Sequence, residues 1–149
     1  MGIASYDKDV ILWSREQAAL LRSGQFSQLD IEHLADEIED VGKSEQRELA
    51  NRMTVLLAHL LKWHYQPKLR AKGGKSWRDT IDHQRERIAR RIDKTPVLKA
   101  TAQDPDWLED TWADATALAA KETGLSRAGF GIANPWTMEQ VLSPDWLPD

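Results

Sequence analysis

Apolar residues recur at threes and fours through most of this chain, and no stretch alternates with a period of two. Threes and fours are the spacing of helices that keep one face against a core, so the pattern predicts an all-α fold. The strongest stretch is 43–65, where Leu49, Met53, Leu56, Leu57, Leu60 and Leu61 share one face. The acidic run 34–42 leads straight into it, with Leu34, Ile38 and Val41 as inward positions and Gly42 and Ser44 as points of kinking or restart. Asp30 is placed to cap this second helix. Upstream, a first helix over 7–23 carries Val10, Trp13, Gln17, Leu20 and Leu21 on its buried side. Gly24 ends it, because glycine tolerates the left-handed position that follows a helix.

Pro67 and the stretch 68–75, with its paired glycines, predict a break. Ser76-Trp77-Arg78-Asp79 resembles a capping box and opens a third helix to 94, with Trp77, Ile81, Ile88 and Ile92 as its apolar line and Gln84 inserted beside them. Thr95-Pro96 starts a short helical turn to 102. Asp104-Pro105 is a cap followed by a first-turn proline, where the missing amide costs little. The helix after it buries Leu108, Trp112, Ala115, Leu118 or Ala119 and closes at Gly124. An irregular segment with Phe130, a last short helix capped by Thr137 with Gln140, and Trp146 complete the chain. The simplest architecture is one domain over 1–149, an antiparallel helical bundle with a long central helix and a short C-terminal helical tail.

Polar residues interrupt the central face. At about 100° per residue, Ile38, Glu45, Arg52 and His59 fall one heptad apart on a single line, with Glu48 beside it. Glu45, Glu48, Arg52, His59 and Gln84 therefore form a candidate buried polar cluster or pocket, because charges on a buried face must answer one another. Its readings are a network that fixes helix register, a pocket for a small polar ligand, or acid–base chemistry by His59. No catalytic motif is complete, so no catalytic residue is assigned. His33, Glu37 and Asp40 share a helix side at steps of four and three, a spacing that oxygen-loving divalent cations accept, yet salt bridges explain the same carboxylates and no metal or other cofactor is assigned. Gly74-Lys75-Ser76 lacks the glycine spacing of a phosphate loop, since Leu69 stands where glycine is needed.

Composition sharpens this in two ways. The chain has 149 residues, 41% of them hydrophobic, no cysteine and seven tryptophans. That excludes disulfides, zinc–thiolate sites and thiol nucleophiles, and the tryptophans argue against disorder. Trp13, Trp77 and Trp112 keep phase with their helices; Trp107, Trp136 and Trp146 sit near ends and turns and are the partner-contact candidates. The net charge of −4 conceals segregation: 6 basic against 11 acidic side chains over 1–60, 12 against 4 over 61–100, and 2 against 9 over 101–149. Mutual neutralisation across a bundle or between protein partners explains this better than nucleic acid, which the acidic ends would repel. Residues 1–6 do not read as a targeting segment and no run approaches the ~20 apolar residues of a membrane span, so the sequence points to a cytoplasmic protein that does not enter a membrane.

Several strings in order resemble the bacterial domain-of-unknown-function family twenty-nine: Tyr6-Asp7-x-Asp9, Gln17-Ala18-x-Leu20-Leu21-Arg22, Glu37-Ile38-Glu39-Asp40-x-Gly42, HLLKW at 59–63, Ser76-Trp77-x-x-Thr80-Ile81, Gln84-Arg85 and Glu122-Thr123-Gly124-Leu125. The resemblance spans nearly the whole chain and implies a small helical bacterial protein with no established activity. The family usually shows Cys-Pro-Tyr-Ser where this chain has Asn134-Pro135-Trp136-Thr137, so any role of that cysteine is not shared. The functional expectation is a non-catalytic binding or protein-interaction module, with a homo-oligomer or another protein as partner. The alternative is a metal-dependent hydrolase acting on nucleotides or related phosphates.

Overall fold

The computed structural model describes residues 4–149, so the first three of the residues read for a targeting segment lie outside it. Among the described residues every regular element is helical: α1 Val10–Arg22, α2 Ile31–Tyr65, α3 Pro67–Lys94, α4 Leu98–Thr101, α5 Pro105–Thr123 and α6 Met138–Leu142, with 3-10 turns at Phe26–Gln28 and Arg127–Phe130. The fold is an all-α bundle. It divides into two compact units, Met1–Ser44 and Glu45–Asp149, with α2 contributing to both.

In the first unit, Asp9 caps α1 by accepting the Leu12 amide at 2.9 Å. At the other end Gly24, at φ +73°, donates to the Leu21 carbonyl while Gln25 donates to that of Leu20. These two bonds are the Schellman closure that a left-handed glycine permits. Asp30 precedes α2, and its side chain accepts the His33 amide at 3.4 Å. Trp13 and Gln17 are the buried residues of α1. Val10 and Leu21, expected inside, are exposed, and so are Ile38 and Val41 on α2. The reason is geometric. A pair of helical segments can cover only one stripe of each, and Trp13 and Gln17 already fill it.

In the second unit α2 and α3 run antiparallel through a single-residue break at Gln66 (φ −127°, ψ 62°), with Pro67 in the first turn of α3. The core gathers Leu49, Met53, Leu56, Leu57, Leu60 and Leu61 from α2, Ile81 and Ile88 from α3, Trp112, Ala115 and Ala119 from α5, and Leu98, Phe130 and Val141. The third helix starts at Pro67, so the loop expected over 68–75 is helical and Ser76-Trp77 lies inside the helix. Packing overrides the glycine penalty of roughly 1 kcal/mol each: at buried Gly74 a Cβ would stand 3.5 Å from the Trp63 ring. The Arg70 guanidinium lies over that ring at 5.2 Å and donates to the Trp63 carbonyl at 3.3 Å. The remaining caps follow the sequence. Asp104 accepts the Trp107 amide, Gly124 closes α5 at φ +76°, and Thr137 and Gln140 form a capping box on α6.

Candidate functional site

Four of the five residues expected to cluster do meet, on the seam between α2 and α3. Arg52 pairs with Glu48 one turn earlier at 3.1 Å and donates to Gln84 Oε1 at 3.3 Å. Arg91, one turn from the end of α3, reaches Glu45 at 2.9 Å and Glu48 at 3.4 Å. Arg91 is the member that sequence reasoning missed, and it takes Glu45 away from Arg52. These groups are half-exposed, from 22% for the Arg52 side chain to 43% for that of Glu45. Arg52 Nε is buried without a partner. Beside the network lies a cleft of about 240 Å³ lined by Glu45, Arg52, Arg87, Arg90, Arg91 and Lys94.

His59 does not join them. Each heptad of a straight helix drifts by about 20°, so two heptads beyond Glu45 the line has turned off the α3 seam. Its Nδ1 bonds the Val55 carbonyl at 2.9 Å, and burial lowers its pKa, with nearby Lys62 adding to the effect. Lys62 itself is 8% exposed and pairs with Glu122 of α5. This cross-helix ion pair joins the HLLKW string to Glu122-Thr123-Gly124-Leu125, two of the strings that carry the family resemblance.

The metal candidates are occupied within the first unit. His33 Nδ1 lies 2.7 Å from Asp30 Oδ2, Tyr6 stacks on the His33 ring at 4.2 Å, and the Tyr6 hydroxyl donates to Glu37. That hydrogen bond pushes the Tyr6 pKa up to about 12. Asp40 is exposed, and among the described residues no three His, Asp or Glu side chains converge as metal ligands. Asp30 is the hub instead: its carboxylate also accepts the Trp13 indole N–H at 3.0 Å, and its amide donates to Gln17 Oε1 at 2.8 Å. The His33 bond holds the Asp30 carboxyl below the usual range, and Asp30 in turn raises His33.

The three tryptophans proposed for partner contact pack on the chain's own core. Trp136 stands edge-on to Trp112 at 6.0 Å and to Trp146 at 5.7 Å. Trp146 is held in place through its carbonyl by Arg85, which the sequence showed only as part of a motif. Arg85 is 5% exposed and donates to the carbonyls of Val141 at 2.8 Å, Pro144 at 3.3 Å and Trp146 at 2.8 Å. It clamps the C-terminal tail to α3. Gly74-Lys75-Ser76, inside α3, offers no free amides to an anion.

These features define a helical protein with a surface ion-pair network on the seam of its two long helices. Residues 5–147 match the family described as Domain of unknown function DUF29, and the chain belongs to it. No curated protein and no solved structure matches the chain.

Proposed function

We propose that the chain is a non-catalytic interaction module that pairs with a second copy of itself through the first half of α2. The observation carrying this is a row of aliphatic side chains left in water: Ile31, Ile38 and Val41 are 70%, 71% and 66% exposed. At 100° per residue they lie within about 80° of one another. Among the described residues, eight of the thirteen exposed large apolar side chains fall in the first unit, which is under a third of the chain. Each one withdrawn from water on association contributes about 1.5–3 kcal/mol before the cost of docking.

Charge argues for the occupant. Residues 30–40 carry six carboxylates and no Lys or Arg, so two such segments laid side by side would repel. The opposite charge is on the same chain: α3 carries ten Lys and Arg against four acids. Two copies can therefore exchange contacts, each acidic segment meeting the other's basic helix, as a two-fold pairing allows. The test is hydrogen–deuterium exchange at low and high protein concentration. Protection should rise with concentration over 31–41 and on α3, and Ile38→Glu should abolish the rise. Exchange independent of concentration in the unmodified chain contradicts the reading. The hydrolase alternative has no comparable support, since His33 and Glu37 are engaged by Asp30 and Tyr6.

A further inference from the structure

We infer that the cleft between Arg52 and the last turns of α3 binds a phosphate-type oxyanion, of the size of inorganic pyrophosphate or the diphosphate end of a small organic molecule. Arg87, Arg90, Arg91 and Lys94 are spaced at three, four and seven, the steps that bring helical side chains to one face. Arg52 of α2 supplies the facing wall of the same cleft. Five cations thus border a space that only one carboxylate, Glu45, also lines.

The charge is not balanced internally. Arg91 takes Glu45 and Glu48, Arg52 shares Glu48, and Arg90 holds Glu86 at 2.8 Å. Arg87 and Lys94 have no carboxylate within ion-pairing distance among the described residues, and Arg52 Nε has no acceptor. Two cations are left over in a concave site, where their repulsion is relieved by an anion. Favourable placement near a helix C-terminus explains part of such a cluster, but that effect fades within the last turn. It covers Arg91 and Lys94. It covers neither Arg87, two turns back, nor Arg52, which belongs to another helix.

Shape and chemistry select the ligand. Guanidinium forks match tetrahedral oxyanions with paired N–H bonds, which a point charge does less well. At about 240 Å³ the cleft is smaller than the ~300–1,000 Å³ of sites that enclose a drug-sized molecule. It therefore reads the charged group rather than a whole nucleotide.

Calorimetry on the full chain at about 0.15 M salt tests this with pyrophosphate, adenosine diphosphate and a short DNA duplex. The control is the double variant Arg87→Gln with Lys94→Gln, both exposed positions outside the core. Because α3 also belongs to the proposed contact between copies, the parent and the variant are compared at a concentration where sedimentation gives both the same molar mass. Pyrophosphate should bind saturably at one site per chain, and the variant should bind about tenfold more weakly or worse. Adenosine diphosphate binding equally well means that only the phosphates are read; tighter binding means that the attached organic group adds contacts, and either supports the site. No saturable binding, or equal binding by the variant, overturns it. Duplex DNA binding tightly while pyrophosphate does not would also overturn it, by making the surface one for nucleic acid.

Discussion

Arg85 Nε donates to the Val141 carbonyl at 2.8 Å across a sequence separation of 56 residues, and this single buried guanidinium holds the C-terminal tail on α3. Its other two nitrogens serve Pro144 and Trp146. Arg85→Met removes all three donors and leaves carbonyls behind without them. It should cost about 3 kcal/mol or more of unfolding free energy by urea titration, with loss of the near-ultraviolet signal of Trp136 and Trp146. Arg85→Lys should recover only part, because one ammonium cannot serve three acceptors held in a fork. A methionine variant as stable as the parent would contradict the clamp.

Buried and exposed ion pairs should separate cleanly. Glu122→Gln strands Lys62, which is 8% exposed, and should cost about 2–3 kcal/mol. Glu45→Gln leaves Arg91 with Glu48 on a half-exposed seam and should cost under about 1 kcal/mol. Chemical denaturation of the two variants at one pH decides it; equal losses would contradict the assigned difference in burial.

Glycines inside helices and the glycine that closes α5 give predictions of opposite sign. A Cβ at Gly42 meets nothing within 4 Å, and at Gly73 only an atom of Trp77 at 4.0 Å. Gly42→Ala and Gly73→Ala should each stabilise by about 0.5–1 kcal/mol. Gly124 sits at φ +76°, so Gly124→Ala should destabilise by roughly 1 kcal/mol. Thermal melts of the three variants supply the measurement.

The Asp30–His33 pair makes the first unit sensitive to pH. His33 is raised above its ordinary value of 6.5 by its bond to Asp30, so its contribution is complete below pH 6.5 and is lost as pH rises through the raised value. Asp30 is lowered below 3.8 by His33, so its share is present above that pH and lost only in stronger acid. His59 acts in the opposite sense, since burial lowers its pKa and its contribution fades as pH falls below 6.5. Amide exchange of α1, corrected for intrinsic rates, should therefore show protection declining as pH rises above 6.5. In His33→Phe that decline should vanish; an unchanged pH profile would rule out the pair as its cause.

The end signals were legible because they are local. Gly24, Asp30, Asp104-Pro105, Gly124 and the Thr137–Gln140 box each act within a few residues, and the helices stop and start where they stand. The start of α3 was not legible, because Gly74 packs against Trp63, a contact made only after α2 and α3 fold together. The seam was half legible. Heptad spacing placed Glu45, Glu48 and Arg52 correctly toward α3 and Gln84, but no spacing within one helix reveals that Arg91 of the next claims Glu45. It likewise could not show that Ile38 and Val41, in phase with the core face, lie where no core reaches.

The most direct test of the interaction reading is the molar mass of the unmodified chain by sedimentation equilibrium across a range of concentrations and salt. A reversible shift from 17.0 kDa toward twice that mass is expected, weakened by salt if acidic segments meet basic helices as proposed, and absent in Ile38→Glu. A protein that stays at 17.0 kDa at every concentration, or a dimer that Ile38→Glu leaves intact, would contradict it.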